Sequence, residues 1–158
     1  SRVYMKNLYV SGTPQFAGTF GVRYFIDYWF LGANLNAFGR NYIDVAPARR
    51  MEGVYDSVDP TIPEQWNTYQ TMTTQERIGS ACTLDLSVGK IFYLRNRQSI
   101  NFNLSVNNVL NKRDIRTGGY EQARVFGSDG TLVNPLLFPN KYYYMQGINC
   151  FANISYRF

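Results

Sequence analysis

Residues 99–111, SINFNLSVNNVLN, alternate apolar and polar side chains with a period of two, and this feature constrains the chain more than any other. Ile100, Phe102, Leu104 and Val106 fall on one side, and Asn101, Asn103, Ser105 and Asn107 on the other, as a pleated strand requires. The last stretch, YMQGINCFANISYRF, repeats the arrangement. Ile148, Cys150, Ala152, Ile154, Tyr156 and Phe158 share a face, Asn149, Asn153, Ser155 and Arg157 take the other, and Phe151 is the exception.

Upstream segments carry the same period. TLDLSVGKIFYL sets Leu84, Leu86 and Val88 against Asp85, Ser87 and Gly89. QFAGTFGVRYFID and YWFLGANLNAFG read as a hairpin turning near Asp27 and Tyr28, with Phe16, Phe20, Val22, Tyr24 and Ile26 on the same face as Trp29, Leu31, Ala33, Leu35 and Ala37. Residues 2–10 read as a further strand, ended by the turn signal SGTP. The expectation is all-β: six antiparallel up-and-down strands at about residues 2–10, 15–27, 28–39, 78–94, 98–111 and 142–158. Two long segments, 40–77 and 112–141, leave from one end of the sheet, and tight turns close the other. The 13 Tyr, 11 Phe and 13 Gly favour strands over helices.

No run approaches the ~18 apolar residues of a membrane-spanning helix, and the opening residues carry no signal-peptide pattern. The net charge of +5 is spread over small groups, such as Arg49 with Arg50 and Lys112 with Arg113, which read as solvated loops. No nucleic-acid partner is expected. With no His, Ser-His-Asp and Cys-His catalysis and His-containing metal sites are excluded within these residues. Phosphate-binding and dinucleotide fingerprints are missing. Asp56 and Asp59 read as a solvated loop, and GSDGT around Asp129 as a hairpin tip. Neither enzymatic chemistry nor a cofactor is expected. Cys82 and Cys150 lie on strands separated by a third, so two strand spacings of ~4.8 Å each put them beyond bridging distance, and free thiols are expected.

Alternating strands build either a soluble sandwich or a transmembrane barrel. The sandwich would be an all-β ligand-binding, carbohydrate-binding or adhesion module. Strand lengths at or above the ~9–11 residues that cross a bilayer favour the barrel. So do the aromatics: Tyr24, Phe25, Tyr28, Trp29, Phe92, Tyr93, Tyr156 and Phe158 gather at the tight-turn end, with Tyr142, Tyr143 and Tyr144 at the other.

FNLSVNNVLNKRD, followed by a long loop and a strand ending NISYRF, resembles the C-terminal end of TonB-dependent outer-membrane receptors. Val106, Asn107, Asn108, Val109, Leu110, Asn111 and Lys112 match the family's penultimate-strand motif, with Val109-Leu110 where Leu-Phe is commoner. SGTPQ, FGVRYFIDYWF and NYIDVAPARR are similar to the Bacteroidetes branch. The resemblance implies the last six strands of a 22-stranded barrel in the outer membrane of a Gram-negative bacterium, and hence a fragment. The plug and the TonB-contacting segment would lie upstream. It implies active import of a siderophore, glycan or similar ligand, and makes Phe158, with Tyr156 and Ile154, the signal read by the barrel-assembly machinery. Implied partners are outer-membrane lipid, the rest of the barrel and plug, the TonB complex and a surface lipoprotein over the loops. Trp66, Tyr69, Tyr55 and Tyr42 are candidate ligand-stacking residues in the long loops, or else pack the loop onto the barrel rim. Arg23, Asp85 and Arg157 on the polar face are candidate contacts to the plug. A passive porin is the further alternative.

Overall fold

The computed structural model describes residues 2–132 and 137–158. The chain divides into two compact units. One, the sheet unit, comprises Gln15–Gly39, Ser80–Ile115 and Tyr144–Phe158. The other, the loop unit, comprises the residues up to Pro14, Arg40–Gly79 and Arg116–Tyr143. The sheet unit is antiparallel strand, whereas the loop unit combines short antiparallel strands with two helices and a 3-10 turn.

The sheet unit is one five-stranded antiparallel sheet. β1 (Phe16–Ile26) and β2 (Trp29–Gly39) form a hairpin, and β2 pairs with β5 (Ala81–Tyr93). β5 pairs with β6 (Ser99–Asn107), and β6 with β9 (Asn149–Arg157), so β1 and β9 are the edges. Asp27 and Tyr28 both have positive φ, +44° and +66°, the conformation of a two-residue turn whose twist suits a hairpin. At the same end Leu94 N donates to Gln98 O (2.8 Å) across the turn that joins β5 to β6. The long segments leave the sheet at the opposite end, after Gly39 and Asn107.

The register aligns the apolar sets. Tyr24 faces Leu31 and Leu31 faces Val88; Val88 faces Leu104 and Leu104 faces Ala152. Cys150 faces Val106, and Val106 faces Leu86. Cys82 is therefore two strands away from Cys150 and four residues further along, and both thiols are free.

Four expected strand boundaries need correction, the first being the 98–111 strand, which stops at Asn107. Residues 2–10 are not a strand of this sheet. They belong to the loop unit, where Val3 makes an isolated bridge to Met51, Tyr9 N donates to Gln75 Oε1 (2.8 Å) and Gln75 Nε2 donates to Tyr9 O (3.0 Å). The 78–94 strand is interrupted at Gly79 and Ser80, separating β4 (Arg77–Ile78) from β5. The 142–158 strand is broken at 145–148, separating β8 (Lys141–Tyr144) from β9. The chain thus supplies five long strands rather than six.

The segment expected to be a long loop is structured. β3 (Asn41–Tyr42) pairs with β4, a 3-10 turn spans Pro47–Arg50, and α1 (Glu52–Asp56) and α2 (Pro63–Thr73) follow. Pro63 opens α2 at a position where a missing N–H costs nothing, and Glu64 complements the positive end of the helix. Val54, Met72 and Val125 form a small core, with Ala48, Tyr69 and Leu132 packed against it. β7 (Arg116–Tyr120) pairs with β8. Gly119 is required there, because a Cβ would sit 2.3 Å from the Lys141 carbonyl oxygen. The expected hairpin tip at Asp129 is present: Gly127 N donates to Thr131 O (2.9 Å), Gly130 has φ +76°, and Asp129 Oδ1 accepts from the Thr131 hydroxyl. Its neighbours Val133 to Leu136 lie outside the described residues.

Candidate functional site

Three features of the folded chain bear on function: the bare apolar face of the sheet, the asparagine turn that ends β6, and the interior of the loop unit.

The apolar face of the sheet unit has no cover within its own unit. Phe20 and Ile154 are each 71% exposed and Phe158 is 94% exposed, while Val22, Tyr24, Leu31, Leu35 and Leu86 are all exposed. A dip of about 460 Å3 is lined by Val22, Leu31, Ala33, Val88 and Leu104, around small Ala33. Apolar patches beyond a few hundred Å2 are rare on monomeric soluble proteins and mark a surface that meets lipid or another protein. Aromatics gather at the tight-turn end as expected: Tyr28 meets Tyr93 at 5.0 Å between centroids, and Tyr156 lies 6.3 Å from Phe158. Lys90, on the apolar face opposite Trp29 and Phe102, would be out of place in the middle of such a surface. Its ammonium instead sits 4.4 Å from the Trp29 ring centroid and 5.1 Å from that of Phe92, near the same end. Tyr142 and Tyr143, expected in the opposite aromatic group, are instead in the loop unit, Tyr142 with its hydroxyl on Glu76 (2.8 and 2.9 Å).

The other face is polar and knit across strands. Thr19 Oγ1 donates to Asn36 Oδ1 (2.9 Å), and Asn36 Nδ2 donates to Asp85 Oδ2 (2.6 Å). Asn107 Nδ2 donates to Asn149 Oδ1 (3.0 Å). Such ladders satisfy polar groups without a layer above them.

The motif at residues 106–112 proves to be a chain-stitching turn. Val106 lies on the apolar face, and Asn107 ends β6. Asn108 and Asn111 both have φ +50°, a left-handed conformation that Asn tolerates better than other residues with a side chain. Asn108 is buried. Its Nδ2 donates to Lys112 O (2.9 Å) and Gln146 O (3.0 Å), and its Oδ1 accepts from Lys112 N (3.1 Å). Asn108 N donates to Asp85 Oδ1, and Val109 N to Leu84 O, both at 2.8 Å. Asn111 Oδ1 accepts from Ile148 N (3.0 Å). The two asparagines therefore tie the ends of β5, β6 and β9 together. Lys112 Nζ lies 3.8 Å from the Cys82 sulfur.

In the loop unit, Arg49 and Arg50 are 3% and 2% exposed, which corrects their reading as solvated loop residues. Arg50 makes a two-point ion pair with Glu121 (2.6 and 2.8 Å) and donates to Thr73 O (2.6 Å); Ala46 N also donates to Glu121 (2.9 Å). Arg49 Nε donates to Gln122 O (2.6 Å), and burial pushes its guanidinium below the ordinary arginine value. Four candidate residues divide into two groups. Tyr55, Trp66 and Tyr69 cluster, with Trp66 and Tyr69 stacked at 5.6 Å and Tyr4 joining at 5.9 Å from Tyr55. Burial of Tyr69 against this cluster raises its hydroxyl pKa. Tyr42 stacks instead on Tyr9, at 4.2 Å and 8°. Asp59 and Asp129 are exposed, and each carboxylate is held below its ordinary pKa by the hydroxyl and N–H of a threonine two residues on.

A cavity of about 570 Å3 in the loop unit is lined by Arg49, Gln70, Thr71, Glu76, Asn140 and Tyr142. Sequence reading missed it, because its walls come from segments 20 to 60 residues apart, by rough count, with no shared period. Among the described residues no group of His, Cys, Asp and Glu could hold a metal ion, and no helix is long and apolar enough to cross a membrane, which says nothing of a β-barrel. No family model matches the chain, and no curated protein or solved structure matches it significantly.

Proposed function

We propose that this chain forms a late part of the barrel wall of a TonB-dependent outer-membrane receptor, one that imports a scarce ligand such as a siderophore or glycan. The observation that carries the reading is the sheet of 9- to 13-residue strands whose apolar face has no cover in its own unit. Strands of that length cross the hydrocarbon of a bilayer when tilted. The backbone bonds of the interior strands are met by neighbours on both sides, which lipid demands. The edges β1 and β9 would pair with further strands of a 22-stranded wall. Lys90 beside Trp29 and Phe92 suits the headgroup level, where an ammonium on an aromatic belt remains hydrated.

In this reading lipid acyl chains cover Leu31, Leu104 and their neighbours, and the polar ladder of Thr19, Asn36 and Asp85 faces the lumen and its plug. The loop unit stands outside the cell and contributes to ligand capture, with Trp66, Tyr69 and Tyr55 as a stacking surface. Phe158, with Tyr156 and Ile154 as alternating companions, forms the signal for the barrel-assembly machinery. TonB acts on a segment upstream, and a surface lipoprotein over the loops is a further partner. No bond is made or broken in the ligand, so this is transport rather than catalysis.

The test is a blot of native cell fractions with an antibody to residues 112–141, comparing boiled and unboiled samples. A large band in the outer membrane whose mobility shifts on boiling is the expected result. A soluble band near the chain's own 18.2 kDa would refute it and favour a binding module whose apolar face meets a second sheet.

A further inference from the structure

The two buried arginines of the loop unit are unequally served. Glu121 gives both carboxylate oxygens to Arg50, and its remaining bond comes from Ala46 N. Arg49, equally buried, reaches one acceptor among the described residues, the Gln122 carbonyl, and that bond uses Nε. Two guanidinium groups thus share one carboxylate. Arginine does not shed its proton to relieve such an imbalance, and a buried cation without a counter-charge is costly.

Arg49 lines the 570 Å3 cavity. Across it, Glu76 is already occupied: its oxygens accept from Tyr142 Oη (2.8 and 2.9 Å) and Asn140 Nδ2 (2.7 Å), and Arg116 stands 3.7 Å away. Arg49, which leans on Glu121 only from a distance, is therefore the cation of this wall with no ion pair of its own among the described residues. Thr74 gives its hydroxyl to Gln70 O (2.7 Å), whereas Gln70 and Thr71 also line the space.

We propose that this cavity binds an oxyanion, with the terminal amino groups of Arg49 as its cation and Gln70 and Thr71 as supporting donors. The planar pair of N–H groups matches two oxygens of a carboxylate or phosphate. The volume falls in the range of small-molecule sites, about 300–1,000 Å3, so the anion would be carried on a small organic body. This site belongs to the loop unit alone and stands whether or not the sheet meets lipid.

The test is calorimetric titration of the natively purified full-length protein with inorganic phosphate and, separately, with citrate, at constant ionic strength set by sodium chloride. Saturable binding is expected, and the tighter of the two probes identifies the preferred head group. Arg49→Met should weaken binding roughly tenfold to a hundredfold, the loss of a charge-assisted pair, while Arg49→Lys retains part of it. Thr71→Trp, placed at an exposed rim position, should block the cavity with Arg49 intact, and it decides the matter alone if Arg49→Met does not fold. Undiminished binding in both Arg49→Met and Thr71→Trp would overturn the proposal. So would the lack of saturable heat in the wild type at concentrations up to roughly 10 mM.

Discussion

The loop unit buries an apolar core, and the apolar face of the sheet unit stays bare. Ile43, Val54, Met72, Ile78 and Val125 are buried in the first, whereas the sheet keeps Phe20, Val22, Tyr24, Leu35, Ile154 and Tyr156 exposed. The units share one chain but not one composition: all 6 Pro lie in the loop unit and all but two of the 11 Phe, Phe126 and Phe138, in the sheet unit. The loop unit folds short elements around a small core and a buried ion pair. The sheet unit bonds its polar face across strands and leaves its apolar face bare. Charge follows the same division. The loop unit buries Arg49, Arg50 and Glu121 in its interior, while the apolar face of the sheet carries Lys90 close to one end.

The sharpest way to break that contrast is Glu121→Ala, which strands two buried guanidinium groups. It should cost about 3–5 kcal/mol, the loss seen when one partner of a buried pair is removed. Denaturant unfolding followed by Trp66 emission in a Trp29→Phe background reads it; an unchanged midpoint would mean the pair contributes nothing. Next in size is Leu104→Arg, on the apolar face between Val88 and Ala152. At a bilayer midplane it should cost about 2–4 kcal/mol, measured by folding into lipid vesicles, while Asn103→Arg on the opposite face should cost far less. Equal effects at the two positions would remove the distinction between faces.

Asn108→Ala should cost about 1–3 kcal/mol, because it leaves Gln146 O and Lys112 N without their bonds and puts alanine at positive φ. Asn108→Gly relieves the backbone part alone, so recovery in the glycine variant would show that conformation outweighs the lost bonds. The smallest effect concerns pH. Asp59 has a folded pKa below its unfolded value, so its contribution is fully present above the unfolded value near ~3.9 and is lost as pH falls through the folded pKa. The Thr61 amide resonance should titrate below that point, and a midpoint at or above it would contradict the turn.

What could be read from the sequence follows the same division. Period two exposed β1, β2, β5, β6 and β9 and their faces, because in a sheet side-chain direction is a local property. The hairpin at Asp27 and Tyr28 and the tip at Asp129 were legible for the same reason. Residues 2–10 misled, since what holds them is Arg50, Met51, Glu52 and Gln75, far along the chain. The break before β9 was hidden because Ile148 N bonds to Asn111, a partner 37 residues back. α2 did leave a signal, the three-residue spacing of Trp66, Tyr69 and Met72 after Pro63 and Glu64, which its polar residues masked. The Arg50 and Glu121 pair left none, being 71 residues apart.

The two tryptophans offer the most direct test of the central claim, since Trp29 lies on the apolar face and Trp66 in the loop unit. Single-tryptophan variants, Trp66→Phe and Trp29→Phe, would be reconstituted in vesicles containing lipids brominated on their acyl chains. Strong quenching of Trp29, greatest with bromines near the headgroups, together with an unquenched Trp66, is the predicted result. Equal emission from Trp29 with and without brominated lipid would contradict the claim that the bare face of the sheet is built for a bilayer.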